Sequence, residues 1–195
     1  MDRLKFKDAV KANLENNIYN HSLAVEACMC GLYDYFSTNK LLDSSEPTRE
    51  EWGLAGLIHD IDFAGDTKEQ HPLKTREVLK KYGLEINDTI LQIILSHDAS
   101  QNIKMDSKAK WSIFCADSLT GLITAVAFVY PDRKLSSVKV SSVLKRFLKE
   151  PKFAAGTRRN EVAQCMDPMG LNLPLEKFIE ICLTSMQTIA SEIGL

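Results

Sequence analysis

Apolar residues recur at three- and four-residue spacings along much of this chain, and this periodicity constrains the fold more than any other feature. In one segment, Ile18, Val25, Met29, Leu32 and Phe36 all fall on one helical face. Residues spaced in this way lie above one another on an α-helix, whereas a half-buried strand needs strict alternation. We find no convincing alternating segment in the chain. The sequence therefore predicts an all-α protein.

Further helices are predicted by the same spacing and by residues typical of helix boundaries. Thr48 and Glu51 have the spacing of a capping box, which predicts a helix start. Pro174 suits the first turn of a last helix because its backbone angle is fixed. The other predicted helical segments are Ile86 to Ile94, Trp111 to Tyr130, and Val138 to Leu148.

The length of 195 residues suits one domain with a sizeable hydrophobic core. No internal repeat or interdomain linker interrupts the helical pattern. We therefore expect a single domain over residues 1–195. Its core would span about residues 17–130, and a basic and C-terminal helical part would span about residues 131–195.

The expected location is the cytoplasm. The first residues alternate charge and lack an apolar signal region. The most apolar stretch, Gly121 to Tyr130, is about half as long as a membrane-spanning helix. Five cysteines at irregular spacing favour reduced thiols over a disulfide framework. Cys28 and Cys30 point to nearly opposite sides of a helix, which favours core packing over a metal pair.

Positive charge is concentrated in one part of the chain. Nine Lys or Arg residues and a single acid, Glu150, lie between Arg133 and Arg159, although the whole chain has a formal net charge of −2. Such a segment is either an anion-binding surface or a solvated helix face, and the sequence leaves both open. The near-neutral total argues against broad nucleic-acid binding.

Several ionisable residues interrupt apolar helix faces. His21 shares the face of Ile18 and Val25, and His97 lies on the apolar side of its own segment. Asp117 lies inside the apolar run 113–119, and His59 with Asp60 ends the apolar run 54–58. A lone histidine at such a position is usually a hydrogen-bonded core residue. Inward residues from several packed helices can also meet around an ion, so this pattern leaves core packing and a metal site open.

The order of these residues resembles the signature of the HD superfamily of metal-dependent phosphohydrolases. His21, the pair His59-Asp60 and Asp117 occur in the order of that signature. Their flanking residues agree over 20–26, 56–62 and 116–123. Further similarity covers 69–72, 96–98 and 152–156, so the resemblance spans nearly the whole chain. The chain is similar to a bacterial subgroup of predicted HD hydrolases, and this resemblance implies a helical bundle.

The resemblance implies a set of six metal ligands. His21, His59, Asp60 and Asp117 correspond to ligands of a first metal. His71 and His97 occupy the places of two extra histidines in binuclear members, where Asp60 bridges both ions; a one-metal site remains the alternative. The ligands are His21, His59, Asp60, His71, His97 and Asp117. Imidazole and carboxylate ligands suit one or two ions of Fe, Mn, Co or Zn.

The implied reaction is hydrolysis of a phosphate ester or a nucleotide-like substrate by metal-activated water. Asp60 would act at the metals, and Asp98 or Asp62 could handle protons or could instead be helix-end or supporting residues. The expected partner is a small anionic phosphorylated substrate rather than a membrane. The candidates to bind its anionic groups are Lys145, Lys149, Lys152, Arg158 and Arg159.

The chain departs from the family pattern at one position that bears on function. Many HD phosphodiesterases continue the pair as His-Asp-Ile-Gly-Lys, but Asp62 and Phe63 occupy the last two places here. A Gly-Tyr-Pro signature for cyclic-di-GMP is absent, so no named substrate carries over. Two other functions stay open: oxygen-dependent C–H cleavage at a mixed-valent di-iron site, and a non-catalytic module that binds a nucleotide or a partner.

Overall fold

The computed structural model describes residues 2–195, and these residues contain helices and no strand. The α-helices are α1 Arg3–Asn13, α2 Asn16–Thr38, α3 Arg49–Ile58, α4 Thr75–Lys81, α5 Asp88–Leu95, α6 Lys108–Phe128, α7 Val140–Lys149, α8 Arg159–Ala163 and α9 Leu175–Thr188. Short 3-10 helices span Gly65–Gln70, Ala99–Gln101, Leu135–Ser137 and Gln164–Met166. The predicted all-α class is confirmed.

The helices predicted from periodicity correspond to α2, α5, α6, α7 and α9. The capping box at the start of α3 is also present, since Thr48 and Glu51 satisfy each other's backbone N–H groups. No helix was predicted between Asp62 and Gln70, but this segment contains the 3-10 helix Gly65–Gln70. Hydrogen bonds from the Thr67 hydroxyl to the carbonyls of Asp62 and Ala64 hold that turn in place.

α2 and α3 pack closely, and this contact sets the geometry of the candidate site. A Cβ atom added to Gly56 would lie 2.9 Å from the backbone N and Cα of Glu26 on α2. Only a glycine lets the two helix backbones approach so closely. His59 follows directly at the end of α3, so the contact brings it beside His21 of α2.

α6 lies in the interior and carries Asp117. Among the described residues it is the one helix with the length and apolar composition to cross a membrane. Its apolar window is 67% buried inside the protein, as in the core helix of a globular fold. α9 packs against α2 and α6, and its Phe178 and Cys182 belong to the same hydrophobic core as the N-terminal helices.

All five cysteines are free thiols. Cys28 is fully buried and packs in the core, as predicted, whereas Cys30 is only partly buried. Burial raises the pKa of Cys30 to about 11 and that of Cys165 to about 12. These thiols therefore stay protonated near neutral pH and are poor nucleophiles.

Candidate metal centre

The six predicted ligands come from separate parts of the chain and meet at one place. His21 and Asp117 project from the interiors of α2 and α6. The other four follow the end of a helix, where the chain turns toward the core. These are His59 and Asp60 after α3, His71 after the 3-10 helix Gly65–Gln70, and His97 after α5.

The first group contains His21, His59 and Asp117, whose donor atoms all lie within 4.8 Å of one another. The Nε2 atom of His21 is 2.9 Å from Asp117 Oδ1 and 3.2 Å from His59 Nε2. His59 is fully buried, and Asp117 is only 8% exposed. The His21 side chain is 25% exposed, so solvent reaches this group mainly at His21.

The second group contains Asp60, His71 and His97, whose donor atoms also lie within 4.8 Å of one another. His71 Nε2 is 3.0 Å from His97 Nε2 and 3.3 Å from Asp60 Oδ1. His97 is 4% exposed, and the side chains of Asp60 and His71 are partly buried.

Asp60 connects the two groups through its two carboxylate oxygens. Its Oδ2 atom lies 3.3 Å from His59 Nε2 and 3.6 Å from His21 Nε2. Its Oδ1 atom faces His71 and lies 4.0 Å from His97 Nε2. One oxygen thus faces each histidine pair, which is the arrangement of a carboxylate able to bridge two ions.

Backbone carbonyls fix the rings of the two buried histidines. His59 donates from Nδ1 to the carbonyl of Gly56 at 2.8 Å, and His97 donates from Nδ1 to the carbonyl of Ile94 at 2.6 Å. A carbonyl can only accept, so the proton lies on Nδ1 in both rings. Each Nε2 then presents a lone pair to the site, as a metal ligand must.

Side chains fix the other two rings in the same way. His71 donates from Nδ1 to Asp62 Oδ1 at 2.6 Å. His21 Nδ1 lies 2.9 Å from the Thr120 hydroxyl, which itself donates to the carbonyl of Asp117 and so accepts from His21. All four histidines therefore direct Nε2 toward the site, and in the neutral ring each Nε2 offers a lone pair.

This donor set fits metal ions. Facing lone pairs 3.0 and 3.2 Å apart repel each other unless a proton or a metal ion lies between them. Two donors about 2.1 Å from one ion, at a right angle, are about 3.0 Å apart. The described residues thus contain two His/Asp groups of suitable chemistry and spacing to hold an ion each.

The electrostatics of the site also favour bound positive charge. Burial opposes a charge on His59, but the carboxylates of Asp60 and Asp117 outweigh it and raise the pKa of His59 well above its usual value. Burial opposes ionisation of Asp117, yet hydrogen bonds and charge from His21 and His59 hold its pKa well below the usual range. Burial and the charge of His59 lower the pKa of His97 to about 4. The carboxylates stay ionised and draw cations to this place.

A cleft of about 280 Å³ opens onto the second group. Arg158 reaches into it and donates from Nη2 to Asp117 Oδ2 at 2.6 Å, and from Nε to Glu161. Phe63 forms part of the wall and meets the His71 ring edge-on, with the ring centroids 5.2 Å apart. The cleft is lined by Asp60, Phe63, His71, His97, Asp98, Ala99, Asp117, Arg158 and Glu161.

The two predicted proton-handling acids occupy different positions. Asp62 is fully buried behind His71, and its Oδ2 accepts the backbone N–H of Lys74 at 2.8 Å, so it orients a candidate ligand and does not line the cleft. Asp98 lines the cleft but also caps the 3-10 helix Ala99–Gln101 by accepting the backbone N–H of Ser100. These contacts are those expected of a supporting residue for Asp62 and of a helix-end residue for Asp98.

Of the five predicted anion-binding residues, Arg158 alone lines the cleft. Its neighbour Arg159 points elsewhere and donates to backbone carbonyls, including those of Phe147 and Phe153. The Nζ atom of Lys145 lies 3.8 Å from Oε1 of Glu150, the residue that follows α7. Lys149 and Lys152 are exposed outside the cleft lining. The structure therefore places one of the five predicted cations at the cleft and the other four outside its lining.

Sequence reasoning missed two residues of this site. Thr120 holds His21, and its position three residues after Asp117 on a helix was an available signal. Glu161 pairs with Arg158, but its distance from the ligands along the chain gave no signal.

Comparison with known proteins gives one match. The family model described as HD domain matches residues 18–122, which is more than half of the chain and includes all six candidate ligands. No curated protein matches this chain. No solved structure matches it either.

Proposed function

Because the chain belongs to the HD domain family, we propose that it is a metal-dependent phosphohydrolase that cleaves a phosphate ester or a nucleotide-like substrate with a metal-activated water. The observation that carries this proposal is the position of Asp60, whose two oxygens face two separate histidine pairs. Such a carboxylate suits two adjacent ions, and paired ions are typical of enzymes that hydrolyse phosphate esters.

Each residue has a definite part in this proposal. One ion would be held by His21, His59 and Asp117. The other ion would be held by His71 and His97, and Asp60 would contact both ions. Ions of Fe, Mn, Co or Zn in these places would lower the pKa of a bound water and offset charge on the phosphate. Arg158 would exchange its hydrogen bond to Asp117 for hydrogen bonds to phosphate oxygens. Asp62 and Thr120 would keep the rings of His71 and His21 in place.

We also propose a cytoplasmic location and a small anionic phosphorylated substrate. The free thiols agree with a reducing compartment. The modest cleft agrees with a small molecule rather than a macromolecular partner.

The proposal is tested by metal analysis and phosphate release. Protein purified without chelators should contain two equivalents of transition metal per chain, by our assignment of two ligand groups. It should release phosphate from at least one ester in a broad substrate screen. Asp60→Ala should lose most of the metal and the activity while keeping its helical circular dichroism spectrum. Asp66→Ala, an exposed acid in the same part of the chain, is the matched control.

Two outcomes would contradict the proposal. Less than about a tenth of an equivalent of metal under every loading condition would remove its chemical basis. Unchanged phosphate release in a folded Asp60→Ala protein would show that the activity does not arise at this site. Metal binding without any turnover would instead favour a non-catalytic module.

Oxygen-dependent C–H cleavage is the second candidate, and Phe63 favours it. This residue lines the cleft at the place where many HD phosphodiesterases have a lysine. The two candidates differ in their need for oxygen. Phosphate release that is equal with and without oxygen supports hydrolysis, whereas oxygen uptake with a polyol or phosphonate by the iron-loaded protein supports the oxygenase.

A further inference from the structure

Carboxylates outnumber cationic side chains around the cleft. Four acids and one guanidinium line it within the described part of the chain. The acids are Asp60, Asp98, Asp117 and Glu161, and the guanidinium is that of Arg158. Asp60 and Asp117 are candidate ligands, whereas Asp98 and Glu161 belong to neither metal group and add negative charge to the substrate space.

The charge of Arg158 is already shared between two acids. Its Nη2 atom lies 2.6 Å from Asp117 Oδ2, and its Nε donates to Glu161. The side chain is 49% exposed, so an anion in the cleft can reach the guanidinium from the open side. The geometry thus provides one cationic side chain for one anionic group.

The surrounding basic segment supplies no further cation to the cleft. Arg159 is held by backbone carbonyls, and Lys145 is directed toward Glu150. Lys149 and Lys152 do not line the cleft. Lys68 lies over the ring of Phe63 but does not line the cleft. A second or third phosphate group would therefore meet Asp98 and Glu161, with Arg158 as the cation in the described lining.

The size of the cleft, like its charge, favours a substrate with a single phosphate group. The cleft volume is about 280 Å³. Pockets for drug-sized ligands are about 300–1,000 Å³, so this cleft lies at the small end of the range. It suits one phosphate on a compact organic group better than an extended polyphosphate chain.

We propose that the substrate is a compact phosphate monoester, and that Glu161 and Asp98 exclude chains of two or more phosphates. This inference rests on the proposed function. With two divalent ions, the cleft groups sum to about +1, which a monoester of about −1.5 to −2 charges nearly neutralises. Each further phosphate brings uncompensated negative charge into a confined space, where like charges repel strongly.

The test compares AMP, ADP and ATP, which differ only in the number of phosphates, together with p-nitrophenyl phosphate as a compact monoester. The manganese-loaded protein should show kcat/KM values that fall from monophosphate to triphosphate. Dissociation constants of slowly hydrolysed thiophosphate analogues, measured by calorimetry, should follow the same order. Binding thus provides a readout that does not depend on turnover.

Variants then separate charge from size. Glu161→Gln should improve the kcat/KM of ATP relative to AMP by about tenfold, because it removes one repelling charge without changing volume. Asp98→Asn keeps a capping side chain and should act in the same direction. Glu176→Gln, an exposed acid at the start of α9, is the matched control and should leave the ratio unchanged.

A wild-type preference for ATP over AMP would overturn the monoester assignment while leaving the phosphohydrolase proposal standing. An unchanged ATP to AMP ratio in both folded, metal-loaded variants would overturn the role of the two acids. A metal-loaded protein that hydrolyses no ester and binds no analogue would overturn both this inference and the proposed function.

Discussion

A single buried carboxylate, that of Asp62, determines how His71 faces the candidate site. It accepts the ring N–H of His71 on one oxygen and the backbone N–H of Lys74 on the other. The sequence marked Asp62 as unusual because it follows the His-Asp pair, but its orientation depends on a turn that local periodicity does not encode. The candidate ligands could be named from the sequence, whereas the hydrogen bonds that orient them could not.

Asp62→Asn should weaken metal binding without unfolding the protein. An asparagine carbonyl can accept only one of the two N–H groups, so the ring of His71 loses its fixed orientation. Loss of such a supporting contact typically lowers metal affinity about 10- to 100-fold. Metal titration by calorimetry measures the change, with the exposed Asp66→Asn as a control. Equal affinities in the two variants would contradict the positioning role.

Arg158 and Arg159 are neighbours with different expected roles. Arg158→Gln should raise the KM for the substrate at least tenfold by removing a charge-assisted contact worth about 1.5–3 kcal/mol, with unchanged metal content. Arg159→Gln should instead lower thermal stability, because Arg159 donates to several backbone carbonyls. Steady-state kinetics and thermal unfolding of both variants check this contrast. A larger rise in KM for the Arg159 variant would reverse the assignment.

At the scale of elements, periodicity predicted the long helices well because their apolar faces pack in the core. α2 has many buried residues at helical spacing, and α6 is buried on nearly all sides, including every residue from Ser112 to Asp117. The region from Asp62 to Lys74 was predicted poorly, since its 3-10 helix is stabilised by individual hydrogen bonds such as those of Thr67. Non-local contacts determine such turns, so a local pattern cannot reveal them.

Gly56→Ala should destabilise the protein by about 1–3 kcal/mol, because its new methyl group would press α3 away from the backbone of α2. Gly121→Ala on α6 is the matched control: nothing lies within 4 Å of its added Cβ, and alanine should stabilise the helix by about 0.5–1 kcal/mol. Urea unfolding monitored by circular dichroism measures both changes. Equal effects of the two substitutions would show that the close contact between α2 and α3 does not contribute to the free energy of unfolding.

At the scale of the whole molecule, the candidate metal site joins α2 and α6 with the ends of α3 and α5. Metal that binds only the folded state stabilises it by about 2.7 kcal/mol at 100 times its dissociation constant. Removal of metal with a chelator should therefore lower the thermal midpoint, and readdition should restore it. Asp60→Ala should show no such dependence. A midpoint that is equal with and without metal in the wild-type protein would contradict binding at this site.

The distribution of the six candidate ligands along the chain, from His21 to Asp117, has a consequence for synthesis on the ribosome. Proteins are extended at about 5–20 residues per second, and N-terminal parts emerge first. His21, His59 and Asp60 leave the exit tunnel several seconds before Asp117, whose carboxylate completes the first group. A nascent chain arrested before α6 emerges would hold those histidines without that partner. We therefore expect metal to bind late in the synthesis and folding of this protein, after α6 has packed against its neighbouring helices.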